Sequence, residues 1–153
     1  MKRNNFFISL LICLGLMFAV SSCKDKEEPF IPVDCPPNVI ICAETFNDTP
    51  KVPETPELPI SISDVRIEGD YLKMTISASG CDGSSWVVKI VTDGTIIRPI
   101  PARPLRIIFE NNEDCEAMIR REFSFNIECL RVPNINKMWF QILGTEYSVP
   151  YEW

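Results

Sequence analysis

A chain of 153 residues with no histidine, seven cysteines and a net charge of −6 excludes more than it assigns. Without histidine the commonest general base, the usual zinc ligand and the middle member of nucleophile–histidine–acid arrangements are gone, and no spacing of carboxylates or lysines replaces them, so no enzyme and no cofactor are expected. The acidic balance also argues against nucleic acid, whose phosphates need a basic footprint.

The chain opens with Lys2 and Arg3, followed by a nearly unbroken apolar run from Phe6 to Val20. At about 15 residues the run is shorter than the roughly 20 a membrane-crossing helix needs, and it ends in small residues as an export signal does. Val20-Ser21-Ser22-Cys23 resembles a bacterial lipobox. The resemblance implies that residues 1–22 are a signal peptide and that Cys23 is the lipid-modified first residue of the mature chain. Firm anchoring takes two or more acyl chains, which that type of modification supplies. The run Lys24-Asp25-Lys26-Glu27-Glu28 is similar to the short charged signal that sorts Bacteroidota lipoproteins to the outer face of the outer membrane. A solvated tether is the plainer reading of those charges, and an ordinary cleaved signal or an uncleaved anchor is the alternative for the stretch as a whole. The resemblance implies a protein held in the outer membrane by its lipid and exposed at the cell surface.

Removal of 22 residues leaves 131, enough for one domain with a tail. It also removes Lys2 and Arg3, leaving 13 basic residues against 21 acidic ones, a net of −8. Eight of the thirteen prolines fall between Lys24 and Pro59, so residues 23–59 read as a tether that cannot bury enough surface to offset chain entropy. Within it Val39-Ile40-Ile41, between Cys35 and Cys42, reads either as a short strand near 38–46 or as a small disulfide-closed loop. Prolines at 50, 53, 56 and 59 read as a polyproline-like spacer.

From residue 60 to 153 short apolar runs alternate with turn residues about every ten positions, the pattern of an all-β sandwich. Ile62 to Ile67 is the first run, and Gly69-Asp70 stops it. Leu72, Met74, Ile76 and Ala78 then alternate with wettable residues, giving a strand with one apolar face. Trp86 to Val91 is apolar on both faces, as a central strand is. Pro99, Pro101 and Pro104 confine Thr95 to Pro104 to an edge. Leu105 to Phe109 alternates again. Glu116 to Arg131 is open between helix and strand, with period two explaining more positions. Met138 to Leu143 and Tyr147 to Trp153 read as a closing hairpin around Gly144-Thr145. The expected fold is an immunoglobulin-like or related antiparallel sandwich of about seven strands.

Five cysteines remain in the mature chain, and outside the cytoplasm they are expected to form disulfides, since no paired C-x2-C spacing suggests zinc. Cys81 and Cys115 sit at strand ends of one pole and suit each other. Cys35 and Cys42 would close a loop, and Cys129 is expected buried, either free or as a competing partner of Cys115. Asp82, Asp114 and Glu116, with Asn111, Asn112 and Glu113, gather oxygen donors of the kind calcium takes, although loops favour such residues in any case. Arg98, Arg103 and Arg106, with Arg120 and Arg121, could read a carboxylate, an anionic sugar or a phosphate by forked hydrogen bonds, or simply pair with acids on a sheet. Tyr147, Tyr151 and Trp153 share one parity, so their face is either a binding surface or the lid of the core; Trp86 and Trp139 are the other aromatics of that class. The expected function is noncatalytic binding of a glycan or protein partner at the cell envelope, the alternative being a structural or accessory subunit of an outer-membrane complex.

Overall fold

The computed structural model describes residues 34–49 and 60–153; the signal-like stretch, Cys23 and the prolines at 50, 53, 56 and 59 lie outside them. The alternating run after Asp70 forms β3, Tyr71–Gly80, in which Leu72, Met74 and Ile76 are completely buried. β2, Ser61–Glu68, pairs with it antiparallel through a turn in which Gly69 takes φ 58°. A side chain is strained in that left-handed region, so glycine belongs there. On the other side of β3 lies β6, Ala117–Asn126, antiparallel from Tyr71 opposite Asn126 to Gly80 opposite Ala117. Period two prevails over the helical reading through residue 126. There the Asn126 side chain accepts the Glu128 amide, and a 3-10 turn, Glu128–Leu130, buries Cys129 and Leu130.

The second sheet has five strands in the order β1, β4, β5, β7, β8: Val39–Ile41, Val87–Thr92, Ala102–Glu110, Lys137–Ile142 and Ser148–Glu152. It is not the antiparallel sheet expected. β1 runs parallel to β4 and β5 parallel to β7, while β4 with β5 and β7 with β8 are antiparallel. β5 changes neighbour in mid-strand, since Ala102–Leu105 pair with β7 and Arg106–Glu110 with β4. Pro104 lies in the half with one neighbouring strand, which is how a proline is tolerated inside a strand. Thr95 to Pro101 forms no edge strand; only the Ile97 and Ala102 backbones bridge. Alternation does not specify strand neighbours, so the mixed pairing left no trace in the pattern.

The two sheets share one core. Leu72, Met74, Ile76 and Phe125 of the smaller sheet meet Ile90, Leu105, Ile107, Met138 and Phe140 of the larger, so the protein is all-β and sandwich-like.

Residues 34–49 are built into this body. After β1 the chain turns into α1, Ala43–Asp48, which buries Phe46. Cys35 does not close a loop with Cys42: it bonds Cys129, and Cys42 is a free thiol. The extended residues Val39–Ile41 stand between Cys35 and Cys42, whereas pairing of β1 on β4 brings Cys35 to the end of β6. Cys81 and Cys115 form the second disulfide.

Candidate functional site

The arginines that are close in sequence are dispersed by strand parity. Arg103 points inward and is only 4 % exposed, donating to the Leu130 carbonyl at 3.2 Å while its Nε has no partner. Burial lowers its pKa, against the pull of Asp93. Arg106 points outward but is taken up by α1, where it lies 4.5 Å over the Phe46 ring and donates to the carbonyls of Asn47 and Thr49. Arg120 and Arg121 belong to β6, remote in sequence and in the other sheet. The expectation that Arg98, Arg103 and Arg106 form one anion reader is therefore corrected: of these three, Arg98 is the exposed one, on a loop.

Of the aromatic face, Tyr151 is buried against Phe140 and Trp153, with Tyr147 and Trp153 half-buried on the same core. This face is a lid. The buried polar tip is spoken for: the Tyr151 hydroxyl donates to Asp70 at 2.6 Å and accepts from Arg131 Nε at 3.0 Å, and Arg131 also meets Asp70 at 2.6 Å. Desolvation and the Asp70 carboxylate push the tyrosine up to about 12, and the hydrogen bond from Tyr151, then Arg131, lowers Asp70. Trp86 is core, edge-on to Phe109 at 5.2 Å.

Asp82, Asp114 and Glu116 do not make a metal centre; among the described residues no three His, Cys, Asp or Glu side chains are placed to hold an ion. Their pole is organised by Glu113 instead. Its carboxylate accepts the amides of Cys81 at 2.6 Å, Gly83 at 3.0 Å and Ser85 at 3.3 Å, and the Ser85 hydroxyl at 3.2 Å. Gly83 closes this concavity with φ 71°, and a Cβ there would stand 2.6 Å from Arg121 Cδ. Desolvation acts to raise the Glu113 pKa, but the amides outweigh it and hold it at about 2. Asp82 is occupied by its own turn, accepting from the Ser84 amide at 2.7 Å.

What remains open is a groove of about 360 Å³ lined by Ile97, Arg98, Pro99, Ile100, Ala102, Trp139, Gln141 and Ser148. Its floor follows from β7, whose alternation buries Met138, Phe140 and Ile142 and turns Trp139 and Gln141 to the outer face. Its wall is the loop after β4. Asp93 accepts from the Thr95 amide and hydroxyl, and the Ile97 and Ala102 backbones exchange hydrogen bonds of 2.7 and 3.1 Å. Arg98, Pro99, Ile100 and Pro101 are thereby held in a tight tip, with the Arg98–Pro99 peptide cis. The tip carries Ile97 at 48 % and Ile100 at 66 % exposure. Apolar residues this open beside an indole, with a guanidinium, an amide and a hydroxyl around them, have the composition of a ligand site. Sequence reasoning named Arg98 and Trp139 but took the prolines for an edge strand and missed Ile97 and Ile100; two isoleucines in a proline-framed loop were the signal available.

No protein-family model, curated protein or solved structure matches the chain.

Proposed function

We propose that this is a lipid-anchored cell-envelope protein whose sandwich binds a glycan or protein partner noncatalytically, in the groove between the Ile97–Ala102 loop and Trp139. The observation that carries the reading is the groove itself: exposed Ile97 and Ile100 set beside a half-buried tryptophan on a rigid sheet. Indole faces stack on sugar rings and on extended peptides alike, and Arg98, Gln141 and Ser148 supply polar contacts for either. The lipobox-like Val20-Ser21-Ser22-Cys23 supports the anchor, and two disulfides suit an oxidising compartment. We also infer an immunoglobulin-related layout, since β2, β3 and β6 lie side by side as strands A, B and E do there and β7 with β8 as F and G; the insertion of β5 beside β7 is the departure.

Titrating the full-length, detergent-solubilised chain with oligosaccharides and extended peptides, followed by calorimetry, tests the groove. A response is expected that Trp139→Ala removes with a stability cost below about 1 kcal/mol, as for a substitution outside the core. A response unchanged in both Trp139→Ala and Arg98→Ala would place binding elsewhere. Mass spectrometry of the mature N-terminus tests Cys23, and a membrane-impermeant label on intact cells tests surface exposure.

A further inference from the structure

β6 is an edge of the smaller sheet, and its ten residues have β3 alone as a neighbour among the described residues. In an antiparallel ladder both polar backbone groups of every second residue point to one partner. The Ile127 amide donates to the Asp70 carbonyl on the β3 side at 2.8 Å, whereas the Ser124 carbonyl accepts the Asn38 side chain at 3.3 Å. The even-numbered residues Met118, Arg120 and Glu122 therefore aim their N–H and C=O groups out of the sheet.

Natural edges of this length are usually guarded by charged side chains. Here the charges are drawn away from the edge. Arg120 reaches across β3 to Asp64 of β2 at 2.5 Å, and Glu122 reaches to Arg66 of β2 at 2.7 Å. Arg121 is turned to the Gly83 carbonyl at 2.7 Å. Met118, at the far end, is 72 % exposed. A long ladder crossed among the described residues by the Asn38 side chain alone, at Ser124, and carrying an exposed methionine is a template for strand addition.

We propose that this edge pairs antiparallel with β6 of a second copy, about a two-fold axis at Arg121. Only pairings that set even residues opposite even residues complete the hydrogen bonds. Among these, centring on residue 120 sets Arg120 against Arg120, and centring on 122 sets Glu122 against Glu122. Centring on Arg121 sets Arg120 against Glu122 of the second copy twice over, an opposite-charge pairing that a two-fold repeats. The two Arg121 side chains then sit across the axis, each engaged by its own Gly83 carbonyl. Asn38, capping Ser124, is displaced on pairing and limits affinity.

The test is oxidation of full-length protein in membranes, in a Cys42→Ser background that removes the free thiol among the described residues, with the parent Cys42→Ser chain as the baseline for any crosslinking from the rest. Residues facing each other at a non-hydrogen-bonded antiparallel position have Cα atoms about 4.5 Å apart, inside the range a disulfide accepts. Arg121→Cys is therefore expected to give a covalent dimer. Met118→Cys, six residues from its own symmetry mate in this register, is expected to stay monomeric. Equal crosslinking at the two positions, or none at either, overturns the proposal. Sedimentation of solubilised protein gives an independent reading that needs no new cysteine. Glu122→Arg should weaken self-association about tenfold by replacing both attractive pairs with repulsive ones, and Arg120→Glu in the same chain should restore it. Failure of the double exchange to restore association also overturns the register.

Discussion

The two ends of the β3–β6 ladder are closed by the same kind of bond and by different physics. At the Gly80–Ala117 end, Cys81–Cys115 ties two neighbouring loops 34 residues apart, and Glu113 gathers the amides between them. At the Tyr71–Asn126 end, Cys35–Cys129 joins positions 94 residues apart, with the Asp70–Tyr151–Arg131 cluster beside it. The first end is local and fastened by a charge in a backbone concavity. The second is assembled from four separate stretches of chain, around Cys35, Asp70, Cys129 to Arg131 and Tyr151, and each of its contacts brings together parts that would otherwise be independent.

The largest expected effect separates the two bridges. Cys35→Ala with Cys129→Ala should lower unfolding free energy by about 4–5 kcal/mol and Cys81→Ala with Cys115→Ala by about 3–4 kcal/mol, because the longer loop restrains the unfolded chain more. Urea unfolding would measure both, and the reverse order would break the comparison. A smaller effect is expected for Tyr151→Phe, which strips a hydrogen bond from both Asp70 and Arg131 without emptying the core. A loss of about 1–2 kcal/mol by thermal melting would fit the two half-exposed hydrogen bonds to charged groups that one hydroxyl makes; no loss would reduce the cluster to decoration.

The third effect depends on pH. Glu113 titrates at about 2 in the fold against an ordinary 4.5, so it contributes stability above pH 4.5 that is lost as pH falls through about 2. Glu113→Gln should therefore be less stable than the parent at pH 7, with the difference fading over that window. A difference that persists unchanged at pH 2 would mean the amides respond to shape and not to charge.

Much of the smaller sheet was legible because its residues obey parity. Leu72, Met74 and Ile76 announced β3, and Ile119, Phe123 and Phe125 outweighed a competing helical spacing in β6. Cys81 and Cys115 suited each other because both sit at strand ends of one pole, Cys81 directly after β3 and Cys115 two residues ahead of β6. Cys35 escaped because its partner depends on β1 docking parallel to β4, a contact between residues about fifty positions apart in sequence that alternation does not encode. For the arginines the misreading was proximity: Arg103 and Arg106 are three apart, and in a strand an odd spacing sends side chains to opposite faces. Parity did place Tyr147, Tyr151 and Trp153 together, but whether a face is wet or covered is decided by the opposing sheet.

The position of Cys35 has a mechanical consequence. A pull applied at Cys35 is passed through sulfur to the 3-10 turn that carries Cys129. Without that bridge the load would fall on three residue pairs between β1 and β4. With it, those hydrogen bonds lie beyond the point where force is taken up. A load taken up at Cys35 is thus held by a covalent clasp, and β1 rides slack.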